Sequence, residues 1–268
     1  MALQISISNA IGARAVAGGG GIDPDAQAFI TAASITDPTQ QSAINQLVVD
    51  LKGYSLWTPI KALYPFVGGT STTMKWNLKD PRDLDAAYRI QFIGGGTWSS
   101  TGYTPNGTNG YADTKLVAQG TLGLNSTSYG VYSRTNVDRN APSIGNVTGG
   151  ASFECSLWLR AGNVTYLRVN SQHIGTQANS DSRGLFIGNR VNSTQVTIQI
   201  RGTQYTPANT NTPFALATNS FQIGGISPNF FDTKEIAFAF IGDGLTSQNM
   251  TDLNTAVVAF QTTLSRQV

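Results

Sequence analysis

Between Phe29 and Leu51 the apolar residues recur every three or four positions: Phe29 and Ile30, then Ile44, Leu47, Val48 and Leu51. That spacing lays an apolar stripe along one side of an α-helix. Asp23 or Asp25 can cap a first short helix running through Phe29 and Ile30 to Ala33. Asp37 followed by Pro38 marks a second start, because the carboxylate accepts N–H groups of the first turn and proline there forfeits no needed donor. Gly53 is a natural stop. The stretch Leu56-Trp-Thr-Pro-Ile-Lys-Ala-Leu-Tyr-Pro-Phe66 predicts one further helical turn before the pattern changes.

From about Tyr64 the apolar period shortens to two, with Gly, Asn, Pro and Thr as punctuation. Strands are predicted over Thr73–Leu78, Tyr88–Phe92, Gly110–Asp113, Ser128–Arg134, Ser152–Arg160, Thr165–Asn170, Gly184–Asn189, Gln195–Arg201, Ser220–Gly224 and Glu235–Ile241. Asn106-Gly107, Asn109-Gly110 and Gly224-Gly225 supply residues that tolerate positive φ at the turns. About ten strands at this spacing, with no helices between them, predict a mainly β protein built as an antiparallel jelly-roll sandwich. In the last strand Ile236, Phe238 and Phe240 alternate with Ala237, Ala239 and Ile241, so both faces are apolar and the strand is expected to be central. Gly242 and Gly244 then turn the chain, Thr246 or Ser247 caps a helix, and Met250, Leu253, Val257, Phe260 and Leu264 line one side of it. This junction is read as the closing seam of the fold rather than the mouth of an active site.

The expected organisation is therefore an N-terminal arm over residues 1–22 ending in the Gly18–Gly21 joint, a helical segment over 23–62, and a concanavalin-like jelly roll over 63–268 closed by the C-terminal helix. The arm is read equally as a segment that pairs with another chain and as a disordered terminus.

Composition narrows the function. The chain of 268 residues is 12% charged, against about 25% in an average domain. Its surface polarity must come from Asn, Gln, Ser, Thr and Gly, a composition that suits close packing against neighbours. A formal net charge of +2 with scattered Lys and Arg offers no general attraction for nucleic acid or anionic lipid. Neither a basic leader followed by a long apolar stretch nor a run of about 18 apolar residues occurs, so neither a signal peptide nor membrane insertion is expected. Cys155 is the single cysteine, which allows no internal disulfide and no Cys-based zinc cluster. Strand alternation makes it a small core residue.

Several stretches together resemble a family: Leu63-Tyr-Pro-Phe-Val-Gly-Gly69, Asn77-Leu-Lys-Asp-Pro81, Pro105-Asn-Gly-Thr-Asn-Gly-Tyr-Ala-Asp-Thr114, Tyr132-Ser-Arg-Thr135, Ser156-Leu-Trp158 and Ala237-Phe-Ala-Phe-Ile-Gly242. Residues 23–268 resemble structural proteins of tailed bacteriophages and prophages that carry a concanavalin-like (laminin-G-like) jelly roll. The resemblance implies a virion protein made in the cytoplasm of a host bacterium, placed on the capsid surface as decoration or in the tail or fibre. Its partners would be other virion proteins and copies of itself, with adhesion to a host surface glycan as a further role.

Candidate chemistry is sparse. A glycosidase needs two opposed carboxylates about 5 to 9.5 Å apart. The glycosidases of concanavalin-like fold carry a Glu-x-Asp-x-x-Glu strand that has no counterpart here. The only glutamates, Glu154 and Glu235, each stand alone in a strand. His173 is the single histidine and lies in a turn, without the motif of a Ser-His-Asp triad or a multi-histidine metal site. Asp80, Asp83 and Asp85 make calcium a candidate cofactor, although Arg82 and Arg89 favour a solvated turn with local ion pairs. Asp113 and Asp181 are lone further candidates. Trp98 and Tyr103, in a Gly/Ser/Thr loop, are the candidate ligand residues: they read either as rings stacking on a sugar or as a plug against a sandwich edge or a neighbouring subunit. Six Asn-x-Ser/Thr sequons, at Asn106, Asn125, Asn146, Asn163, Asn192 and Asn249, are the chance product of an Asn/Thr-rich chain. Two functions follow as expectations. The first is a non-enzymatic, homo-oligomeric virion component. The alternative is a module that binds or depolymerises a host-surface carbohydrate.

Overall fold

The computed structural model describes residues 21–148, 152–207 and 212–268. The predicted arm, up to residue 20, lies outside the described residues.

Helix α1 (Pro24–Ala32) starts where the Asp23 carboxylate accepts the Asp25 N–H, and α2 (Pro38–Gly53) where Asp37 accepts the Gln40 N–H. Lys52 ties the end of α2 to Asp23 at 2.7 Å. Two predictions in the next segment are corrected. The expected helical turn over 56–66 ends in strand β1 (Ile60–Tyr64). There Ile60 and Leu63 face one core while Ala62 and Tyr64 face another, so pairing with the last strand overrides the local pattern. The expected strand over 73–78 begins instead as the one-turn helix α3 (Ser71–Met74), stabilised by a capping box between Thr70 and Thr73. Hydroxyl groups in a Thr/Ser run compete with strand pairing by bonding to nearby backbone.

The remaining elements are almost all strands: β2 (Gln91–Ile93), β3 (Gly96–Ser99), β4 (Gly102–Pro105), β5 (Tyr111–Val117), β6 (Thr127–Ser133), β7 (Ile144–Thr148), β8 (Ser152–Ala161), β9 (Val164–Val169) and β10 (Gly175–Ala178). Then follow β11 (Gly184–Arg190), β12 (Val196–Ile200), β13 (Thr203–Tyr205), β14 (Ser220–Ile223), the ribbon β15 (Gly225–Ile226) and β16 (Phe230–Phe231), β17 (Ile236–Gly242) and helix α4 (Ser247–Thr263). They form an eight-stranded sheet in the order β13-β12-β11-β6-β17-β4-β3 and a seven-stranded sheet in the order β10-β9-β8-β7-β14-β5-β2. In the larger sheet β1 pairs with residues 239–242 of β17, on the side where β4 meets Ile236. The result is a mainly β, antiparallel jelly-roll-like sandwich with four helices among the described residues.

One core lies between the sheets, with Tyr129, Val131 and Phe186 from the larger sheet meeting Leu157, Leu167 and Phe221 from the smaller. A second core lies on the other side of the larger sheet, where Tyr132, Leu185, Ile187, Phe238 and Phe240 receive α1, α2 and α4. Strand β17 is buried along its whole length because it serves both. Its alternation is broken once. Ile236 and Phe238 pair with the adjacent residues Ser133 and Tyr132, so Ala237 is bulged. The bulge turns Ile236 into the inter-sheet core beside Ala239 and Ile241, whereas simple alternation places it with Phe238.

Helix α4 begins with a Thr246–Asn249 capping box and packs on α2. Arg266, just after it, anchors the chain. The fully buried Arg266 donates to the Phe66 carbonyl (2.9 Å), the Pro65 carbonyl (3.2 Å), the Ala237 carbonyl (3.3 Å) and Gln261 Oε1 (2.9 Å). Ahead of β17, Lys234 and Asp232 form an ion pair of 3.0 Å with both side chains inaccessible.

Candidate functional site

The two aromatic candidates belong to a hairpin, not a loop. Trp98 in β3 and Tyr103 in β4 are cross-strand partners. The chain reaches β3 from β2 through Gly94, whose φ of +69° and closeness to the Asn109 carbonyl leave no room for a side chain. Tyr103 is 1% exposed, with its ring centroid 4.9 Å from that of Phe92 and 5.7 Å from that of Trp98. Phe92 belongs to the edge of the smaller sheet and Trp98 to the edge of the larger, so these rings close the side of the sandwich. A ring buried in that way offers no face for a sugar to stack on, which corrects Tyr103 as a ligand residue. The half-buried Trp98 packs in the same cluster.

The acidic candidates are dispersed. Glu235 accepts from Arg134 at 2.8 Å and from Ser99 and Thr101, as part of the seam at the start of β17. Glu154 lies on β8 of the other sheet, so the two glutamates do not share a groove. Asp80 faces Arg82 (2.5 Å), Asp83 faces Lys75 (2.7 Å) and Arg89 (2.8 Å), and Asp85 faces Arg89 (2.6 Å). Cationic side chains thus stand against each carboxylate of the candidate calcium cluster, and no group of three metal-ligating side chains occurs among the described residues. Lys115 and Arg183 likewise pair with Asp113 and Asp181. His173 is exposed in the turn after β9, its N–H donated to Ser171. Burial pushes the Cys155 thiol up to about 12, as expected of an inert core residue. Among the sequons, Asn146 is buried and Asn249 caps α4.

Side chains of mixed chemistry converge on the outer face of the seven-stranded sheet. In β8, Cys155, Leu157 and Leu159 point into the core, so strand alternation puts Glu154, Ser156 and Trp158 on the outside. In β9, Leu167 and Val169 point inward and Tyr166 and Arg168 outward. Register then sets Trp158 opposite Tyr166 and Ser156 opposite Arg168. A groove of about 230 Å³ opens here, lined by Asn140, Trp158, Tyr166, Arg168 and Ile174.

Its geometry is well braced. The Trp158 ring forms the floor, 8% exposed, with Tyr166 edge-on at 6.4 Å and Phe230 of the ribbon edge-on at 6.5 Å. The Arg168 guanidinium stands 5.7 Å from the Trp158 ring centre and donates from Nε to the Gln172 carbonyl at 3.3 Å. Tyr129 reaches across the sandwich to donate its hydroxyl to the Arg168 carbonyl. Ile174 is 37% exposed at one rim.

On the same strand as Trp158, Glu154 Oε2 and Ser156 Oγ are buried with no hydrogen-bond partner among the described residues, while Glu154 Oε1 lies 3.5 Å from the Gln172 amide. Burial raises the proton affinity of the Glu154 carboxyl above its ordinary value, opposed by Gln172 and the Arg168 charge. Natural structures leave few such atoms without a reason. The sequence signal was available in part: β8 and β9 were both expected as strands, and their outward positions alone carry Glu154, Trp158, Tyr166 and Arg168. What it lacked was the register that joins them.

No family model matches the chain, and no curated protein matches it. The fold has solved counterparts. Trypanosoma rangeli sialidase matches with a TM-score of 0.54 at 11% identity, over 80% of this chain and 38% of that one. The same sialidase in complex with the inhibitor DANA matches with a TM-score of 0.53 at 12% identity, over 72% of this chain and 32% of that one. The chain thus spans less than two fifths of the sialidase it matches. At this identity the likeness is one of fold, and it agrees with the β-sandwich predicted from the strand pattern. The tailed-phage resemblance has no counterpart in these comparisons and stands on its motifs alone.

Proposed function

We propose that this chain is a non-catalytic glycan-binding module, its ligand lying along the outer face of the seven-stranded sheet. One observation carries the reading: cross-strand register brings Trp158, Tyr166 and Arg168 into a single open groove with Asn140 and Ile174. A sugar ring presents an apolar C–H face and a rim of hydroxyls. Aromatic and aliphatic surface suits the first, and amide and guanidinium groups suit the second. The placement of Glu154 and Glu235 on different sheets favours binding over hydrolysis, because no opposed pair of these acids flanks a sugar. The match to part of a sialidase supports the reading to the extent that this sandwich occurs within a protein that acts on glycans.

In the setting implied by the tailed-phage resemblance, such a module serves adhesion on a virion and sits beside other virion proteins and copies of itself. Mass spectrometry of purified particles tests that setting, and absence of the chain from them removes it.

Binding itself is tested on an array of bacterial and plant polysaccharides. The wild-type protein is expected to bind saturably and Tyr166→Ala to bind at least about tenfold more weakly, the order of one lost aromatic contact. Equal melting temperatures would show that the variant is folded. Wild-type protein that binds nothing on the array, or a Tyr166→Ala variant that binds as well, refutes the proposal.

A further inference from the structure

We propose that the groove selects a saccharide bearing a carboxylate, with the acid group held by the Arg168 guanidinium. This rests on the glycan reading above and narrows it to a class of ligand.

Arg168 is the one charged side chain among the described residues that line the groove. It is held from several sides. Its backbone is fixed by the β8–β9 register and by the Tyr129 hydroxyl, its Nε by the Gln172 carbonyl, and its guanidinium by the Trp158 ring. A guanidinium held in place by an aromatic ring loses little further freedom on meeting a ligand. Its planar fork matches a carboxylate with two parallel N–H···O bonds, which makes such pairs stronger and more directional than bonds to a neutral hydroxyl. The stacking leaves the positive charge on the guanidinium, so the groove keeps its preference for an anion.

The rest of the lining fits the same ligand. Tyr166 and Ile174 provide apolar surface for a ring face, and Asn140 provides an amide for a hydroxyl beside the acid group. The nearby acid, Glu154, is 1% exposed and is not among the groove's lining residues, so it makes no direct contact with a ligand there. Arg168 is the charged group whose field it feels, so the two side chains attract one another.

The experiment compares acidic oligosaccharides with their neutral esters. Oligogalacturonate and oligomannuronate, and the methyl ester of each, are titrated calorimetrically into wild type, Arg168→Gln, Arg168→Lys and Tyr166→Ala, with folding checked by circular dichroism. Wild type is expected to bind at least one acid about tenfold more tightly than its ester at low salt, with the gap closing as ionic strength rises. Arg168→Gln should lose that gap, Arg168→Lys should keep part of it, and Tyr166→Ala should weaken acid and ester alike. Equal binding of acid and ester by wild type, or a gap that survives in Arg168→Gln, overturns the carboxylate proposal. Binding of neutral array glycans through Tyr166 without binding of either acid overturns it too, and leaves the glycan reading intact. Failure to bind any glycan removes both.

Discussion

At Glu154 a carboxyl group is enclosed in a β-sheet face with one oxygen unpartnered among the described residues. Its affinity for protons is higher in the folded chain than in the unfolded one, because burial penalises the charged form most. The sign of the pH effect follows. At a pH below the unfolded value both states hold the proton and the group costs nothing. As the pH rises through the folded value the carboxylate must be buried as an anion, and stability falls. Glu154→Gln, which keeps the shape without the charge, is therefore expected to stabilise the protein at pH 7 by about 1 kcal/mol, the cost of one unsatisfied buried group. The gain should vanish near pH 4. Urea unfolding at the two pH values measures it, and a pH-independent difference would contradict this account. Cys155, fully buried on the opposite side of β8, calls for a simpler test. Its thiol should resist a disulfide reagent at pH 8 in the native state and react fully once the chain is unfolded. Residues such as these differ in legibility. The core role of Cys155 follows from alternation in β8, whereas nothing local distinguishes Glu154, whose state depends on neighbours brought in by β9 and the turn after it.

Among the elements, β17 and the segment behind it decide whether the sandwich closes. Its central position is legible from Ile236–Ile241, apolar on both faces, and α4 from its stripe and its Thr246 cap. The bulge at Ala237 is not legible, since one extra residue leaves no mark on composition. Nor is the role of Arg266, because a lone arginine near a chain end ordinarily reads as solvated. Its guanidinium instead serves three backbone carbonyls and Gln261, tying β17 and α4 to the Pro65–Phe66 turn after β1. Arg266→Ala strands those acceptors away from water and is expected to cost about 3 kcal/mol or more in unfolding free energy. Arg266→Lys, with three donors, should recover part of it. A loss below about 0.5 kcal/mol in urea titration would mean that water replaces the guanidinium. The elements the sequence misassigned are short ones, β1, α3 and the β3–β4 hairpin. Each is fixed by a partner distant in sequence or by side-chain capping, and not by a run long enough to show a period.

On the scale of the whole molecule, the helices and the two sheets are joined through shared layers. Residues 23–62 pack on the same sheet that forms one wall of the inter-sheet core, with Phe238 and Phe240 facing the helices and Ala239 and Ile241 facing the sandwich. Heat should therefore unfold the helical layer and the sandwich together, in one calorimetric transition common to helical circular dichroism and tryptophan fluorescence. Separated transitions would show that the layers are thermodynamically independent. The fold class was legible from strand count and spacing. The groove was not, since it depends on which strand lies beside which, information that period and composition do not contain.

The helical layer covers the back of the eight-stranded sheet, while the groove lies on the far side of the seven-stranded one. A support coupled through α1 or α2 would thus hold the molecule from behind and turn Tyr166 and Arg168 toward the medium. Many copies fixed in that way would all present the same side to an opposing surface, so weak individual contacts could act together as avidity.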